Sequence, residues 1–285
     1  MKKYYHISSR GLEKGLIFSC DEDFISGVND IAICLLKFDV KIVCYCLMSN
    51  HFHFILYGAE QACREFVNEY KRRCGIRMRN SKMEVNALSN LQLSINEISD
   101  AEYLENAIAY VLRNPLAARI NIMPYHYMWS SAGIYFKGET PAGGTPVNDL
   151  SERKRNRMLR TKQSLPDDYC VNESGMILPE SFVDPKLAEA IFRHPSRLMF
   201  ALAKKVETEV ELKFGIADQV SYTDAEMKSL INEYISMEFG VQGISALSNQ
   251  QKLKLCSMMK RNYNASVKQI CRITKLDPEI VNKLV

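Results

Sequence analysis

The sequence of 285 residues lacks any apolar run of the roughly 20 residues that a membrane-spanning helix requires. Its first six residues, 1–6, are not followed by the apolar core of a signal peptide. The nine cysteines are odd in number and scattered, and no two pairs have the spacing of a metal site. We therefore expect a cytoplasmic protein with reduced thiols and no membrane partner.

Histidine is scarce, with five residues in the chain, yet two of them stand at positions 51 and 53. The flanking residues, 43–48 and 54–57, are apolar and rich in β-branched and aromatic side chains, which predicts extended chain. Side chains at i and i+2 of a strand share a face, so His51 and His53 should stand side by side with Phe52 turned into the core. Two adjacent imidazoles form half of a metal site, although satisfied core histidines have the same pattern.

The net charge of +4 is modest, but the cations are clustered in two runs. The first run comprises Lys71, Arg72, Arg73, Arg77, Arg79 and Lys82, and the second comprises Arg153, Lys154, Arg155, Arg157, Arg160 and Lys162. Clustered cations suit a phosphate backbone, and a solvated helix face is the alternative interpretation.

Apolar periodicity divides the first half of the chain into alternating strands and helices. It predicts strands over about 2–9, 40–48, 51–57 and 91–98, and helices from Asp21, over about 60–77 and over about 100–113. The short turn at Ser49-Asn50 joins the second and third strands, and we interpret these two strands as a hairpin.

The second half of the chain has a different composition. Glycine and proline are frequent over 136–148, which indicates a loop, and helical patterns follow from Pro179. We therefore predict a domain over 1–140, a linker with the second basic run over 141–178 and a helical domain over 179–285.

Capping residues mark three helices near the end of the chain, beginning after Ser248, Ser266 and Asp277. The last two are short and close together, which matches a helix-turn-helix, although the end of a plain helical bundle looks the same. Core positions expected on the final helix are Ile280, Val281 and Leu284. The candidate DNA contacts are Lys268, Gln269, Lys275, Asn282 and Lys283.

A partner for the two imidazoles is offered by the helix that is predicted to end near Pro115. Tyr110 and Asn114 are four residues apart and so lie one above the other on one helix face. An asparagine oxygen is a ligand compatible with Mg²⁺ or Mn²⁺, and a tyrosine oxygen can act as a nucleophile. Ordinary packing of the tyrosine and capping by the asparagine before Pro115 are the alternatives.

Four blocks of the sequence together resemble a known family. Residues 47–56, LMSNHFHFIL, resemble the His-hydrophobic-His motif of the single-tyrosine transposases of the HUH class, and residues 110–118, YVLRNPLAA, resemble the block that carries their nucleophilic tyrosine. Weaker likeness is found at 5–11 and 129–135, so the resemblance spans 3–136. The branch that this chain resembles most comprises the REP-associated tyrosine transposases. Ser49 departs from the proline usual there, and 80–90 lacks the Gly-aromatic-Gln pattern often seen after the basic helix.

The resemblance implies an α+β fold in which an antiparallel sheet has helices packed on one face, a ferredoxin-like HUH nuclease domain, followed by an all-α C-terminal domain with the helix-turn-helix. It implies that His51, His53 and Asn114 hold one Mg²⁺ or Mn²⁺ ion. Tyr110 would then cleave single-stranded or hairpin DNA through a 5′-phosphotyrosine bond that a 3′-hydroxyl later reverses. Family members form homodimers. The phosphate contacts expected on the basic helix are Lys71, Arg72, Arg73 and Arg77.

Three other readings of the sequence stay open. One is a replication initiator or relaxase, which uses the same motif to nick one strand. Another is a domesticated sequence-specific DNA-binding protein that keeps the fold without the reaction, and the third is a structural metal-binding domain. Tyr103, on the same predicted helix as Tyr110, is the second candidate nucleophile.

Overall fold

The structure is a computed structural model, and none of its described helices combines the length and apolarity needed to span a bilayer. It describes residues 1–10, 15–80, 91–118, 120, 122–138, 143–161, 163–204, 206, 210, 221–263 and 265–284. The segment 81–90, Lys82 and Lys162 of the basic runs, and part of the predicted loop at 136–148 lie outside the described residues.

A four-stranded antiparallel sheet forms the centre of the first half, in a β-α-β-β-α-β order that is followed by a further helix. The elements are β1 (Lys3–Arg10), α1 (Asp21–Leu35), β2 (Val40–Leu47), β3 (Phe52–Gly58), α2 (Glu60–Asn80), β4 (Gln92–Ile98) and α3 (Ala101–Ala117). The strands are ordered β2-β3-β1-β4 across the sheet, and every neighbouring pair is antiparallel. The predicted mixed α+β class with an antiparallel sheet is confirmed.

The hairpin of β2 and β3 is also confirmed. Its strands pair from Val40 with Gly58 to Leu47 with Phe52, and a backbone hydrogen bond of 2.8 Å from Met48 N to His51 O closes the turn. The closing bond fixes the backbone on both sides of Ser49-Asn50. The hairpin therefore holds His51 immediately before β3, next to the tight turn.

The helices cover both faces of the sheet, so the expectation of helices on one face is wrong. Phe52 and Phe54 point to α2, where their rings lie 4.9 and 5.2 Å from the ring of Tyr70. His53, between them in sequence, points the opposite way, and its ring lies 5.5 Å from that of Tyr110 on α3. The strand is apolar on one side and polar on the other, and each side requires its own covering helix.

Helix α3 begins where it was predicted, and the Asp100 side chain caps it by accepting a hydrogen bond of 3.1 Å from Glu102 N. The helix does not end before Pro115 as expected but continues to Ala117. Pro115 lies in the last turn, so its missing N–H costs the helix a single hydrogen bond, the one to the Val111 carbonyl, and only two residues follow it. The extra turn keeps Asn114 inside the helix and one turn beyond Tyr110.

The rest of the chain is mainly helical. Its elements are β5 (Thr145–Pro146), α4 (Glu152–Leu159), β6 (Cys170–Val171), α5 (Pro185–Phe192), α6 (Pro195–Ala203), α7 (Asp224–Phe239), α8 (Asn249–Tyr263), α9 (Val267–Thr274) and α10 (Pro278–Leu284). Several hydrogen bonds cross the predicted domain boundaries, including Asn29 to Gly175 O at 3.0 Å and Asp184 N to Ile42 O at 3.0 Å. The division into three domains stays a prediction.

The last three helices begin where their capping residues predicted. Ser248 and Gln251 form a reciprocal capping box, and the Ser266 hydroxyl accepts a hydrogen bond from Gln269 N. The assignment of core positions on α10 is partly wrong, since Val281 is buried but Ile280 and Leu284 are 46% and 38% exposed. Val281 is the buried residue through which this seven-residue helix packs, while Ile280 and Leu284 stay partly in solvent.

Candidate functional site

The site lies between β3 and α3, on the face of the sheet that α3 covers. His51 and His53 share that face as predicted, and their ring centroids are 5.1 Å apart. His53 is fully buried and His51 is 3% exposed. The two-residue period of the strand therefore brings the imidazoles together, as the sequence indicated.

Helix α3 brings the other two predicted residues onto the histidines. The oxygen of the Asn114 side chain lies 2.9 Å from Nε2 of His51, across 63 positions of sequence. The Tyr110 ring stands edge-on to that of His53, with centroids 5.5 Å apart. All four predicted residues thus meet within one chain, and each is buried.

Both ring nitrogens of His51 face amide oxygens. Nδ1 lies 2.8 Å from Oδ1 of Asn50, and Nε2 lies 2.9 Å from Oδ1 of Asn114. A neutral imidazole carries one N–H and can donate to one of the two oxygens. If Nδ1 donates to Asn50, then the Nε2 lone pair and the Asn114 oxygen converge. A second proton on the ring, a cation shared by the two atoms, or a turned Asn114 amide resolves that conflict.

The donor set fits a small divalent ion. Neighbouring ligand atoms on an octahedral ion with bonds of about 2.1 Å lie about 3 Å apart, close to the observed separation of His51 Nε2 and Asn114 Oδ1. Two imidazoles and one amide oxygen suit Mn²⁺ better than Mg²⁺, which prefers oxygen ligands. Among the described residues, no group of three or more His, Cys, Asp or Glu side chains could hold a metal, so Asn114 is needed to complete this set.

His6 also belongs to the cluster, and reasoning from the sequence missed it. This fully buried residue of β1 places Nε2 at 3.2 Å from Nδ1 of His53, and its ring lies 5.8 Å from that of Tyr110. A signal was available, because one further histidine of the five, His6, falls in the predicted first strand. What the sequence alone did not give was the pairing of that strand with the histidine strand.

A cysteine flanks His53 on the other side. Cys46 of β2 pairs directly with His53 and is fully buried. Burial raises the pKa of its thiol well above the ordinary value, so the sulfur keeps its proton at neutral pH. Its Sγ lies 3.8 Å from the sulfur of Met48, so in this structure Cys46 packs within the apolar core.

A segment of the C-terminal half contacts both elements of the site. Ser49, two residues before His51, donates a hydrogen bond to the carbonyl of Ser221, and the Tyr222 hydroxyl donates one of 2.7 Å to the carbonyl of Ala118. Glu226 also interacts with Ser49, and burial raises the pKa of its carboxyl group. This segment, residues 221–226, ties the turn before β3 to the end of α3.

Two arginines of the basic run on α2, Arg73 and Arg77, point toward the interior. The Arg77 side chain is 2% exposed, donates to Ile17 O at 3.1 Å and lies 3.6 Å from each of Asp23 and Asp30. Arg73 forms an ion pair of 2.6 Å with Asp30 and is 12% exposed. Burial raises the pKa of Asp30, and the two guanidinium groups oppose that rise. In this structure both arginines connect α2 to α1 and lie away from the surface.

The other predicted DNA contacts differ in exposure. Arg72 is 54% exposed and binds Glu69, while Lys71 is half-buried and donates to the carbonyl of Leu91. In the C-terminal helices, Gln269 is buried and donates to the Tyr222 carbonyl at 2.8 Å. The exposed ones there are Lys268, Lys275, Asn282 and Lys283.

Comparison with known proteins gives little beyond this geometry. No protein-family model matches the chain, and no curated protein matches it. Among solved structures, it is similar to a REP-associated tyrosine transposase bound to a REP hairpin. The two share 12% sequence identity, the match covers 45% of this chain and 74% of that one, and the TM-score is 0.33. A TM-score of that size is too low to establish a common fold.

Proposed function

We propose that this protein is a metal-dependent, single-stranded DNA transposase or endonuclease that works through a 5′-phosphotyrosine intermediate. The observation that carries the proposal is the meeting of Tyr110 and Asn114 on α3 with the histidine pair on β3. Burying two imidazoles, an amide and a phenol costs desolvation that apolar side chains would not, which makes this buried polar cluster a candidate functional site.

Tyr110 is the nucleophile of the proposed reaction. Its phenolic oxygen loses its proton and attacks the phosphorus of a DNA phosphate. The bond from phosphorus to the 3′-oxygen breaks, and that oxygen takes up a proton to become a free 3′-hydroxyl. The new tyrosine–phosphate ester keeps the energy of the phosphodiester, so a later 3′-hydroxyl can restore the strand without a nucleotide cofactor.

His51, His53 and Asn114 would hold the divalent ion. When bound, Mg²⁺ or Mn²⁺ would supply stabilisation of the negative charge that develops on the phosphate oxygens. His6 would orient His53, because ligation through Nε2 of His53 leaves its Nδ1–H to donate to His6. Asn50 would orient His51 in the same way, through the contact at Nδ1.

The buried state of the site bears on how DNA reaches it. His51, Tyr110 and Asn114 are no more than 3% exposed. A scissile phosphate therefore reaches them after α3 and the strand move apart, or after the segment 221–226 releases their ends. When the site closes again over the DNA, it excludes water, which would otherwise hydrolyse the covalent intermediate.

The remaining parts of the proposal concern architecture and DNA contacts. The β-α-β-β-α-β order and the β2-β3-β1-β4 sheet support a ferredoxin-like HUH domain. Helices α9 and α10 would form the helix-turn-helix, with Lys268, Asn282 and Lys283 exposed to DNA. A homodimer is a further part of the proposal, which sedimentation or light scattering would test.

The decisive experiment seeks the covalent intermediate. The protein is incubated with Mn²⁺ and labelled single-stranded DNA hairpins taken from beside its own gene, and the products are separated under denaturing conditions. We expect a protein–DNA band that disappears in Tyr110→Phe. Tyr103→Phe is the matched control, since Tyr103 lies on the same helix and is also buried, and it should keep the band.

Other outcomes identify the alternatives. If the protein binds the hairpin but forms no adduct with any divalent ion, the result would indicate a domesticated DNA-binding protein. Nicking without strand rejoining would favour a replication initiator or relaxase. An adduct that persists in Tyr110→Phe and disappears in Tyr103→Phe would assign the nucleophile to Tyr103.

A further inference from the structure

Ser8 of β1 is a buried polar residue that the proposed function does not use. Its side chain is fully buried, and among the described residues its hydroxyl oxygen has no hydrogen-bond partner. Buried hydroxyl groups without a partner are rare, because water has been removed from them and nothing replaces it. Each such group therefore calls for an explanation of what it binds.

The strand register places Ser8 in the candidate site. Ser8 pairs directly with His53 across β1 and β3, and directly opposed side chains project from the same face of the sheet. His6, two residues earlier on the same face, contacts His53 through Nε2. Ser8 thus lies on the side of the sheet where Tyr110 and Asn114 cover the histidines.

The neighbouring residue, Ser9, has a hydroxyl that does form a hydrogen bond. Ser9 points to the other side, and its oxygen accepts a hydrogen bond of 2.9 Å from Phe52 N. The Ser9 hydroxyl therefore binds the backbone, whereas the Ser8 hydroxyl has no such hydrogen bond among the described residues. The difference suggests that the Ser8 hydroxyl binds something that enters the site.

We propose that Ser8 is a phosphate-binding residue, whose hydroxyl donates a hydrogen bond to a non-bridging oxygen of the scissile phosphate. This inference rests on the proposed function. The ligand class is set by chemistry, since a hydroxyl donor beside metal-ligating imidazoles complements an anionic oxygen. Ser8 would then stabilise charge on the phosphate from the sheet, while Tyr110 attacks from α3, which covers the same face of the sheet.

The test uses the lack of a hydrogen-bond partner for the Ser8 hydroxyl among the described residues. Ser8→Ala removes a hydroxyl that has no hydrogen-bond partner in the part of the chain that the structure describes, so the melting temperature should stay the same or rise. The rate of adduct formation on the hairpin substrate should fall at least roughly tenfold, as for the loss of one donor to a developing anion. Replacing a non-bridging oxygen of the scissile phosphate by sulfur should slow the wild type more than Ser8→Ala.

Ser94→Ala is the matched control. Ser94 pairs with Ser8 on the next strand, is half-buried and lies one strand further from His53, so its adduct rate should equal that of the wild type. An unchanged rate in Ser8→Ala, or a fall in melting temperature that accounts for the lost rate, would overturn the inference. If the wild type forms no adduct on any hairpin, the proposed function itself fails, which is a separate result.

Discussion

The two faces of β3 differ in chemistry, although their side chains alternate along the same seven residues and His51 just before them. Phe52 and Phe54 pack against aromatic rings of α2, in a face that gains stability from apolar burial. His51 and His53 are equally buried under α3, but burial of imidazole costs desolvation and returns little. The difference teaches that burial alone does not identify a core: one face packs apolar rings, and the other buries polar groups to which the proposed function assigns the chemistry.

The largest expected effect comes from a substitution on the apolar face of β3. Phe54→Ala should lower the free energy of unfolding by roughly 3–5 kcal/mol, because it leaves a cavity between β3 and the rings of Phe66 and Tyr70. Urea denaturation followed by circular dichroism measures the loss. His53→Ala, next in sequence on the other face, is the control and should cost clearly less. Equal losses would mean that the polar face stabilises the fold as strongly as the apolar one.

A smaller effect tests whether the polar face is organised for metal binding. His6→Leu should weaken Mn²⁺ binding and adduct formation by about 10–100-fold, as expected when the partner of a ligating histidine is lost. His6→Gln keeps an amide at the position of Nε2 and should recover part of the loss. Calorimetric titration with Mn²⁺ provides the readout apart from activity. If both variants behave alike, His6 serves packing and does not orient His53.

The smallest effect concerns the ion pairs that Glu69 of α2 forms with Arg72 and Lys37 at the surface. The hydrogen bond from Arg72 lowers the pKa of Glu69 to about 2 from its ordinary 4.5, with help from Lys37. A carboxyl group with a lowered pKa stabilises the fold above its ordinary pKa, and the contribution is lost as the pH falls from 4.5 toward 2. Since Arg72 is more than half exposed, the contribution should stay below about 1 kcal/mol.

Glu69→Gln measures that contribution. The variant should be slightly less stable than the wild type at pH 7 in urea denaturation, and the two should converge near pH 2. Glu65→Gln is the control, because Glu65 lies on the same helix with an uncharged partner, Gln61. A difference between Glu69→Gln and the wild type that is constant across the pH range would contradict the assignment.

Much of the first half was predictable, because each element is marked by local pattern. The two-residue period gave β3 and the side-by-side histidines, and the four-residue spacing gave the shared face of Tyr110 and Asn114. The end of α3 was placed too early, because proline was given its usual weight as a helix breaker although the last turn tolerates it.

The positions of charged side chains were predicted least well. Arg73 and Arg77 look like surface cations in a basic run, yet the carboxylate of Asp30 on α1 holds both inside. Sequence spacing gives the face of α2 on which they lie, but not which helix covers that face. Gln269 is similar, since its burial depends on the backbone carbonyl of Tyr222 far away in sequence.

The sequence by itself determined the strands, the helices and the chemical types available on each face, because backbone geometry fixes side-chain periodicity over a few residues. The tertiary structure decided which faces meet. It placed α3 over His51 and His53 and α2 on the opposite side, and it paired β1 with β3 so that His6 and Ser8 joined the histidines. Such pairings depend on contacts between residues tens of positions apart, which no local pattern encodes.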